Sequence, residues 1–477
     1  MGEAVTPIDE GLIVPERRTH PKTPPTRSGD AAGLQSLSMH NEPWNLHELR
    51  RAFADGRLRP SQVAEEALAR SNGNPGRNTY LWQETDWTRK EAQRAEAMPR
   101  GTGGPFGDGR AALWGVPIAV KDCFDLAGAP TTAGIEFYRE RNGIAQRDSW
   151  MIEQLRALGA VLIGKAHLHP LAYGITGENP EFGDCIQPGT TDALTGGSSS
   201  GPAASVMEGS AVASIGTDTG GSVRVPAALC GLAGYRASLG RGDWRGGLHL
   251  AESFDTLGWL FRDLEDAPLL NIPFAPAEKK PARSFTQFAY VSDSFLDDCE
   301  PEVAACFHAS VRELEKLGLE GRAVDVGWWA ESMDIFAPIQ ASEAAKLHAG
   351  LFDHFQPLIR DRLKWGASFT PEQIAKLRRR HAEFRGRIDE LFARHELVML
   401  PCAPISRITV AAAKSAEGDA MRKRLLRYTT PFSLAGVPCV TIPCSAGGAQ
   451  IAAAREDDEA LLQLSAQVGR HRREKQG

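Results

Sequence analysis

No stretch of this 477-residue chain approaches the roughly 20 consecutive apolar residues needed to cross a bilayer, so no membrane span is expected. An apolar N-terminal core of the kind that marks a secretory signal is also missing, and Glu3, Asp9 and Glu10 argue against a transit peptide. Cytoplasm is the expected compartment. Excess charge of one sign is scarce: the net −6 is mild, and nothing in it suggests nucleic-acid binding or attraction to an anionic membrane. The eight cysteines are scattered with no C-x-x-C among them, and read as reduced, mostly buried small side chains. His167 and His169 lack an acidic or cysteine partner at ligand spacing, and Cys439 and Cys444, around a Thr-Ile-Pro segment, read as structural. No metal is expected. No internal repeat divides the chain.

What is present is ordinary globular composition, 42% hydrophobic and 24% charged, in a length that fits two or three domains or one large α/β unit. Residues 1–40 are rich in Pro, Arg, Thr and Gly without periodicity, which predicts a disordered tail. A helical layer is expected over 41–105. There Leu46, Leu49, Ala52 and Phe53 recur at helical spacing, as do Val63, Ala64, Ala67 and Leu68 after Pro60 and Ser61. Another helix is expected over 87–97, and the Gly/Pro-rich run 101–109 closes this layer. Residues 106–477 form the larger region. Its apolar run 116–120 predicts a buried strand that ends in Lys121 and Asp122, followed by a helix over 149–158 and a strand over 160–163. Such alternation predicts an α/β sheet covered by helices on both faces, with chemistry where strands end. Within it, 264–395 reads as a helical elaboration, with amphipathic helices around 302–317 and 371–392 and Arg378-Arg379-Arg380 on a solvated face. Residues 398–401 and 440–443 then return as strands.

Two glycine-serine segments stand out, Gly196-Gly197-Ser198-Ser199-Ser200-Gly201 and Gly216-Thr217-Asp218-Thr219-Gly220-Gly221-Ser222. They bracket residues 202–215, long enough for one helix. Glycine lets a ligand approach the main chain, and serine supplies a nucleophile or a proton relay. Three chemistries compete for them. Residues 159–165 have P-loop spacing, but Ala160-Val161-Leu162-Ile163 forms a strand rather than a cradle, and Ala166 offers magnesium no hydroxyl. Residues 197–201 satisfy G-x-S-x-G, yet no apolar strand precedes them, and Asp255, Asp263, His308 and His348 downstream lie in no distinctive setting. The third joins Lys121, Ser198 and Ser222, because a lysine whose pKa is lowered by burial can activate a serine. The S-D-N and K-T-G partners of the β-lactamase arrangement are missing.

Gly115-Val116-Pro117-Ile118-Ala119-Val120-Lys121-Asp122, the serine run around Ser198, and residues 216–226 ending in Arg224-Val225-Pro226 together resemble the three blocks of the amidase signature family. The Ser198-to-Ser222 spacing is that of the family's serine pair, and Gly164-Lys165, Asn179-Pro180, residues 253–258 and residues 430–438 match its downstream pattern. The resemblance covers about residues 46–465. It implies a large mixed, twisted central β-sheet and hydrolysis of a carboxylic amide C–N bond through an acyl-enzyme. Ser222 is implied as nucleophile, Ser198 as bridging serine behind a cis Gly197–Ser198 peptide, and Lys121 as ultimate base. Backbone N–H groups of Thr219, Gly220, Gly221 and Ser222 are implied as the oxyanion hole, and Ala172, Tyr173, Gly174 and Thr217 as substrate-binding residues. Ser199 and Ser200 are expected as loop hydroxyls, and Asp218 with Arg224 as an ion pair holding the nucleophile loop. No cofactor is implied, the partner is a small-molecule amide, and a homodimer is left open.

Arg236-Ala237 stand where the family's common pattern has Lys-Pro, and residues 181–185 continue without the usual Asn-Pro-Trp. Both departures favour a small or aromatic amide over the alternative activity, the glutaminase subunit of a tRNA-dependent amidotransferase. A catalytically silent scaffold is the reading from another class. It has no need of Lys121, Ser198 and Ser222 together.

Overall fold

The short apolar segments become strands because amphipathic helices of adequate length alternate with them and cover their faces. The computed structural model describes residues 42–73, 76, 78–98, 111–274 and 283–475, so the tail 1–40 and the run 101–109 lie outside the described residues. Residues 41–477 form one compact unit. Its strands are β1 (Tyr80–Trp82), β2 (Pro117–Lys121), β3 (Val161–Ala166), β4 (Ala193–Leu194), β5 (Ala213–Asp218), β6 (Ala233–Arg236), β7 (Thr256–Phe261), β8 (Gln287–Val291), β9 (Glu320–Val324), β10 (Leu397–Pro401), β11 (Ile408–Thr409), β12 (Cys439–Ile442) and β13 (Ala449–Ala453). Eleven of them build one sheet in the order β1-β3-β2-β5-β7-β6-β12-β13-β10-β8-β9, while β4 and β11 pair separately. The sheet is mixed: β3, β2 and β5 run parallel, β5 to β10 alternate in direction across the middle, and β10, β8 and β9 are parallel again.

The parallel trio positions the site. Val120 on β2 stands in register with Ile215 on β5, so Lys121 ends β2 alongside the last residues of β5 and reaches Thr217. Every residue of β2, β5 and β7 is buried, the polar Lys121, Ser214, Thr217, Asp218 and Thr256 included.

Helices fall near their expected positions, at Leu46–Ala54, Pro60–Asn72, Thr85–Glu96 and Trp150–Ala157. Residues 202–215 differ from expectation. They are not one helix: the helix Ser200–Glu208 stops at Gly209, which caps it in the left-handed region at φ 76°, and β5 starts at Ala213. The apolar Ala213-Ser214-Ile215 segment gains more as a strand between β2 and β7 than as a helix extension, and this reversal brings the second serine loop back over the first.

The segment 264–395 is also more than helical. It supplies β8 and β9 at one edge of the sheet, alongside helices Pro301–Lys316, Ser332–Leu347, Pro357–Ala367 and Pro371–Arg394. The last of these is launched by a capping box, with Gln373 N–H donating to Thr370 Oγ1 at 3.3 Å and Thr370 N–H donating to Gln373 Oε1 at 2.8 Å. Its arginine triplet is partly tied down: Arg378 binds Glu343 and donates to Ser253 Oγ at 2.7 Å, and Arg380 donates to Glu331 at 3.1 Å. Among the described residues no helix is long and apolar enough to cross a membrane.

Candidate active site

Lys165 and Lys121 are both completely buried, and their partners separate them. Lys165 on β3 pairs with Asp122 at 2.6 Å. Lys121, at the end of β2, forms no ion pair among the described residues. Its Nζ donates to Thr217 Oγ1 at 2.7 Å and to Ser198 Oγ at 2.8 Å. Loss of hydration lowers the Lys121 pKa to about 8, against the opposing pull of Cys123, Asp255 and Asp218.

Ser198 follows a cis Gly197–Ser198 peptide. Its carbonyl accepts from the His169 N–H at 3.2 Å, and Gly197 N–H donates to Ile175 C=O at 2.8 Å. The helix that starts at Ser200 packs so closely that a Cβ on Gly201 would lie 2.2 Å from His167 N and 2.4 Å from Thr79 O, which only glycine avoids. Ser199 Oγ donates to Thr217 C=O at 3.3 Å, and Ser200 Oγ meets His167 Nδ1 at 2.7 Å. Since His167 Nε2 faces the Gly183 carbonyl at 2.9 Å, Nε2 carries the proton and Nδ1 accepts from Ser200. Burial keeps that imidazole neutral, with its pKa lowered to about 4. His167 therefore secures the first serine loop.

The second loop joins β5 to the helix Arg224–Leu229 and is organised by Asp218. Its carboxylate accepts from the N–H groups of Gly221 (2.9 Å), Val223 (3.1 Å) and Arg224 (3.3 Å). The expected ion pair with Arg224 is present at 2.9 Å with both side chains fully buried, and Arg236 adds a second at 2.8 Å. Burial opposes ionisation of Asp218, but the two guanidinium groups outweigh it and hold the carboxyl well below the usual carboxylate range. Arg224 continues to Thr429 C=O (3.0 Å), Ser433 Oγ (2.8 Å) and Gln450 Oε1 (2.9 Å), so the loop is bolted to the helix Gly418–Ala435 and to β13. Arg236 thus supports the second loop, and its departure from the family's lysine keeps the positive charge beside Asp218.

Ser222 ends this loop at 4% exposure. Among the described residues its hydroxyl makes no hydrogen bond with Ser198. Main chain joins the two loops instead, Ser199 N–H donating to Ser222 C=O at 3.1 Å. Thr219 Oγ1 donates to Asp255 at 2.6 Å. Of the four expected N–H donors, that of Gly221 is held by Asp218. Gly220 and Ser222 are the members of the set that face the cavity.

That cavity measures about 260 Å³. Ala172, Tyr173, Gly174, Gly220 and Ser222 form its floor. Leu171 and Ala172 adopt φ of 54° and 55°, a conformation uncommon for side chains with a Cβ and found most often at functional turns. Thr217 lies elsewhere: it holds Lys121 and does not line the cavity. The walls were not foreseen from sequence. Gln340, Arg362, Trp365, Asp419, Arg422 and Leu426 come from the helices Ser332–Leu347, Pro357–Ala367 and Gly418–Ala435, which carry no motif beyond amphipathic spacing.

Comparison with known proteins identifies the family. The Amidase family model matches residues 63–462. An indoleacetamide hydrolase of Pseudomonas savastanoi is 30% identical over 439 residues, which cover 84% of this chain and 90% of that protein. A glutamyl-tRNA(Gln) amidotransferase subunit from Bordetella avium is 29% identical over 489 residues, covering 87% and 92%. A crystal structure of an amidase superposes with a TM-score of 0.79 at 28% identity, over 90% of this chain and 100% of that one. The chain belongs to the amidase signature family of amide C–N hydrolases.

Proposed function

We propose that this protein hydrolyses a small acyclic carboxylic amide, with Ser222 as nucleophile and Ser198 and Lys121 as its proton relay. The observation that carries this reading is the pairing of Lys121. A buried lysine that faces hydroxyls rather than a carboxylate loses its proton readily, and that makes it a base. Neutral Lys121 takes the proton of Ser198 while Ser198 takes that of Ser222, whose oxygen attacks the amide carbonyl. The protons return along the same path to the departing nitrogen, which leaves as ammonia or an amine, and water then hydrolyses the acyl-enzyme. N–H groups of Gly220 and Ser222, with Thr219 beside them, stabilise the oxyanion. Gly221 contributes shape: its φ is +121°, and a Cβ there would lie 2.7 Å from Thr429 Oγ1. Gly221→Ala is therefore expected to lower kcat by about 10²-fold, the cost of misplacing one oxyanion donor, as read by steady-state kinetics.

The cavity volume of about 260 Å³ is below the roughly 300–1,000 Å³ of sites for drug-sized ligands, which supports a small acyl group. The test is ammonia release from a panel of aliphatic and aromatic primary amides and glutamine, together with fluorophosphonate labelling. Ser222 should carry the label, and the small amides should turn over. Turnover of glutamine alone would favour the glutaminase reading, and an unlabelled, inactive protein would favour a scaffold.

A further inference from the structure

The Gly220–Gly221 peptide lies between the two units whose N–H groups, those of Gly220 and Ser222, belong to the residues facing the cavity. Neither of its flanking residues has a Cβ, so nothing in the local chain fixes the plane of this peptide. Both of its polar ends are nonetheless held. The Gly221 N–H donates to Asp218 Oδ1 at 2.9 Å, and the Gly220 carbonyl accepts from Thr429 Oγ1 at 2.5 Å. Asp218 belongs to the same loop, but Thr429 reaches it from the helix Gly418–Ala435, 209 residues further along the chain.

A threonine inside a helix ordinarily turns its hydroxyl back on its own helix. The neighbouring Thr430 does so, donating to Leu426 C=O at 2.9 Å. Thr429 Oγ1 lies 3.5 Å from that same carbonyl and makes its short bond to the loop instead. Its backbone is fixed independently, by Arg224 Nη1 donating to the Thr429 carbonyl at 3.0 Å and Gln450 Nε2 donating to the Tyr428 carbonyl at 2.8 Å. Gly220 and Thr429 are both buried. A carbonyl left unpaired there costs free energy, and turning the peptide plane relieves that cost.

We propose that Thr429 is a positioning residue for the reaction: its hydroxyl and the Asp218 carboxylate clamp the Gly220–Gly221 peptide at its two ends and so aim the Gly220 and Ser222 N–H groups at the oxyanion. The proposal rests on the amidase reading. With the hydroxyl gone, the plane turns about its one remaining bond, and the donors on either side turn with it. The ground-state amide loses little by this, whereas the developing oxyanion loses most.

The experiment compares Thr429→Val, which keeps the shape of the side chain and removes its O–H, with Thr429→Ser, which keeps the O–H. The probe is a fluorophosphonate, whose attack by Ser222 places negative oxygen in the same hole and requires no knowledge of the natural amide. In Thr429→Val the rate of labelling should fall by about 10²-fold, while Thr429→Ser stays within about threefold of wild type. Labelling taken to completion should reach the same stoichiometry in all three proteins, which separates a misaimed oxyanion hole from a misfolded chain. With the fastest amide of the panel, kcat should fall by the same factor and KM should change by less than about twofold. Labelling of Thr429→Val at the wild-type rate, or of Thr429→Ser as slowly as Thr429→Val, overturns the proposal and leaves Ser222 as nucleophile. If Thr429→Val does not reach full stoichiometry, Thr429→Ala is measured in the same way, and failure of both assigns Thr429 a folding role and overturns the proposal as well. A wild-type Ser222 that takes no label removes the hydrolytic reading, and this one with it.

Discussion

Ser222→Ala and Lys121→Met are each expected to lower kcat for amide hydrolysis by roughly 10⁴- to 10⁶-fold, because groups that act as one relay fail together. The pH profile distinguishes the lysine's part. In the proposed relay Lys121 accepts a proton, so it must be neutral, and its lowered pKa of about 8 sets where that form dominates. In the wild type, kcat/KM should rise about tenfold per pH unit up to about 8 and then level off. Lys121→Met should retain only a trace of rate with that limb removed. A wild-type profile flat from pH 6 to 9 would refute Lys121 as the base. Fluorophosphonate labelling of Ser222 should slow in parallel, since the same relay activates the serine toward phosphorus.

The largest effect on stability is expected at Asp218. Asp218→Ala leaves Arg224 and Arg236 fully buried without their counter-ion and frees three main-chain N–H groups. Breaking a buried pair from one side costs about 3–5 kcal/mol, which should appear as a lower midpoint in chemical denaturation. The sign with pH follows from the depressed carboxyl pKa. Stability from this cluster is fully present above the ordinary carboxylate range and is lost only as pH falls through the folded-state value, so the variant and wild type should converge in strong acid. Activity should fall too, because the Gly221 N–H that shapes the nucleophile loop loses its acceptor. A variant of unchanged midpoint would show that Arg224 finds enough support in Thr429, Ser433 and Gln450 alone.

Much of the site was legible in the chain because its parts are local. A strand that stops at Lys121, a serine run and a glycine loop each carry their geometry within a few residues, and the structure brings Lys121 to Ser198 as these local signals suggest. The strand and helix positions were readable for the same reason. Residues 202–215 misled because an alanine-rich run suits a helix by propensity, while a neighbour on each side makes its second half a strand. That the Asp218 carboxylate, three residues earlier, takes the Gly221 N–H was not legible, because it depends on how the loop turns back.

Residue type and short-range order were enough to single out the candidate chemistry: one lysine, two serines and the glycine loop between strand and helix. Tertiary structure alone decided which side chains line the cavity beside Ser222. Amphipathic spacing tells a helix which face to bury, but not whether that face meets core or cavity, and so Arg362 and Trp365 carried no signal. Charge balance is equally non-local. Arg422 is paired because Glu178, 244 residues away in sequence, folds against it at 2.7 Å, whereas Arg362 donates to the Tyr173 carbonyl at 2.6 Å.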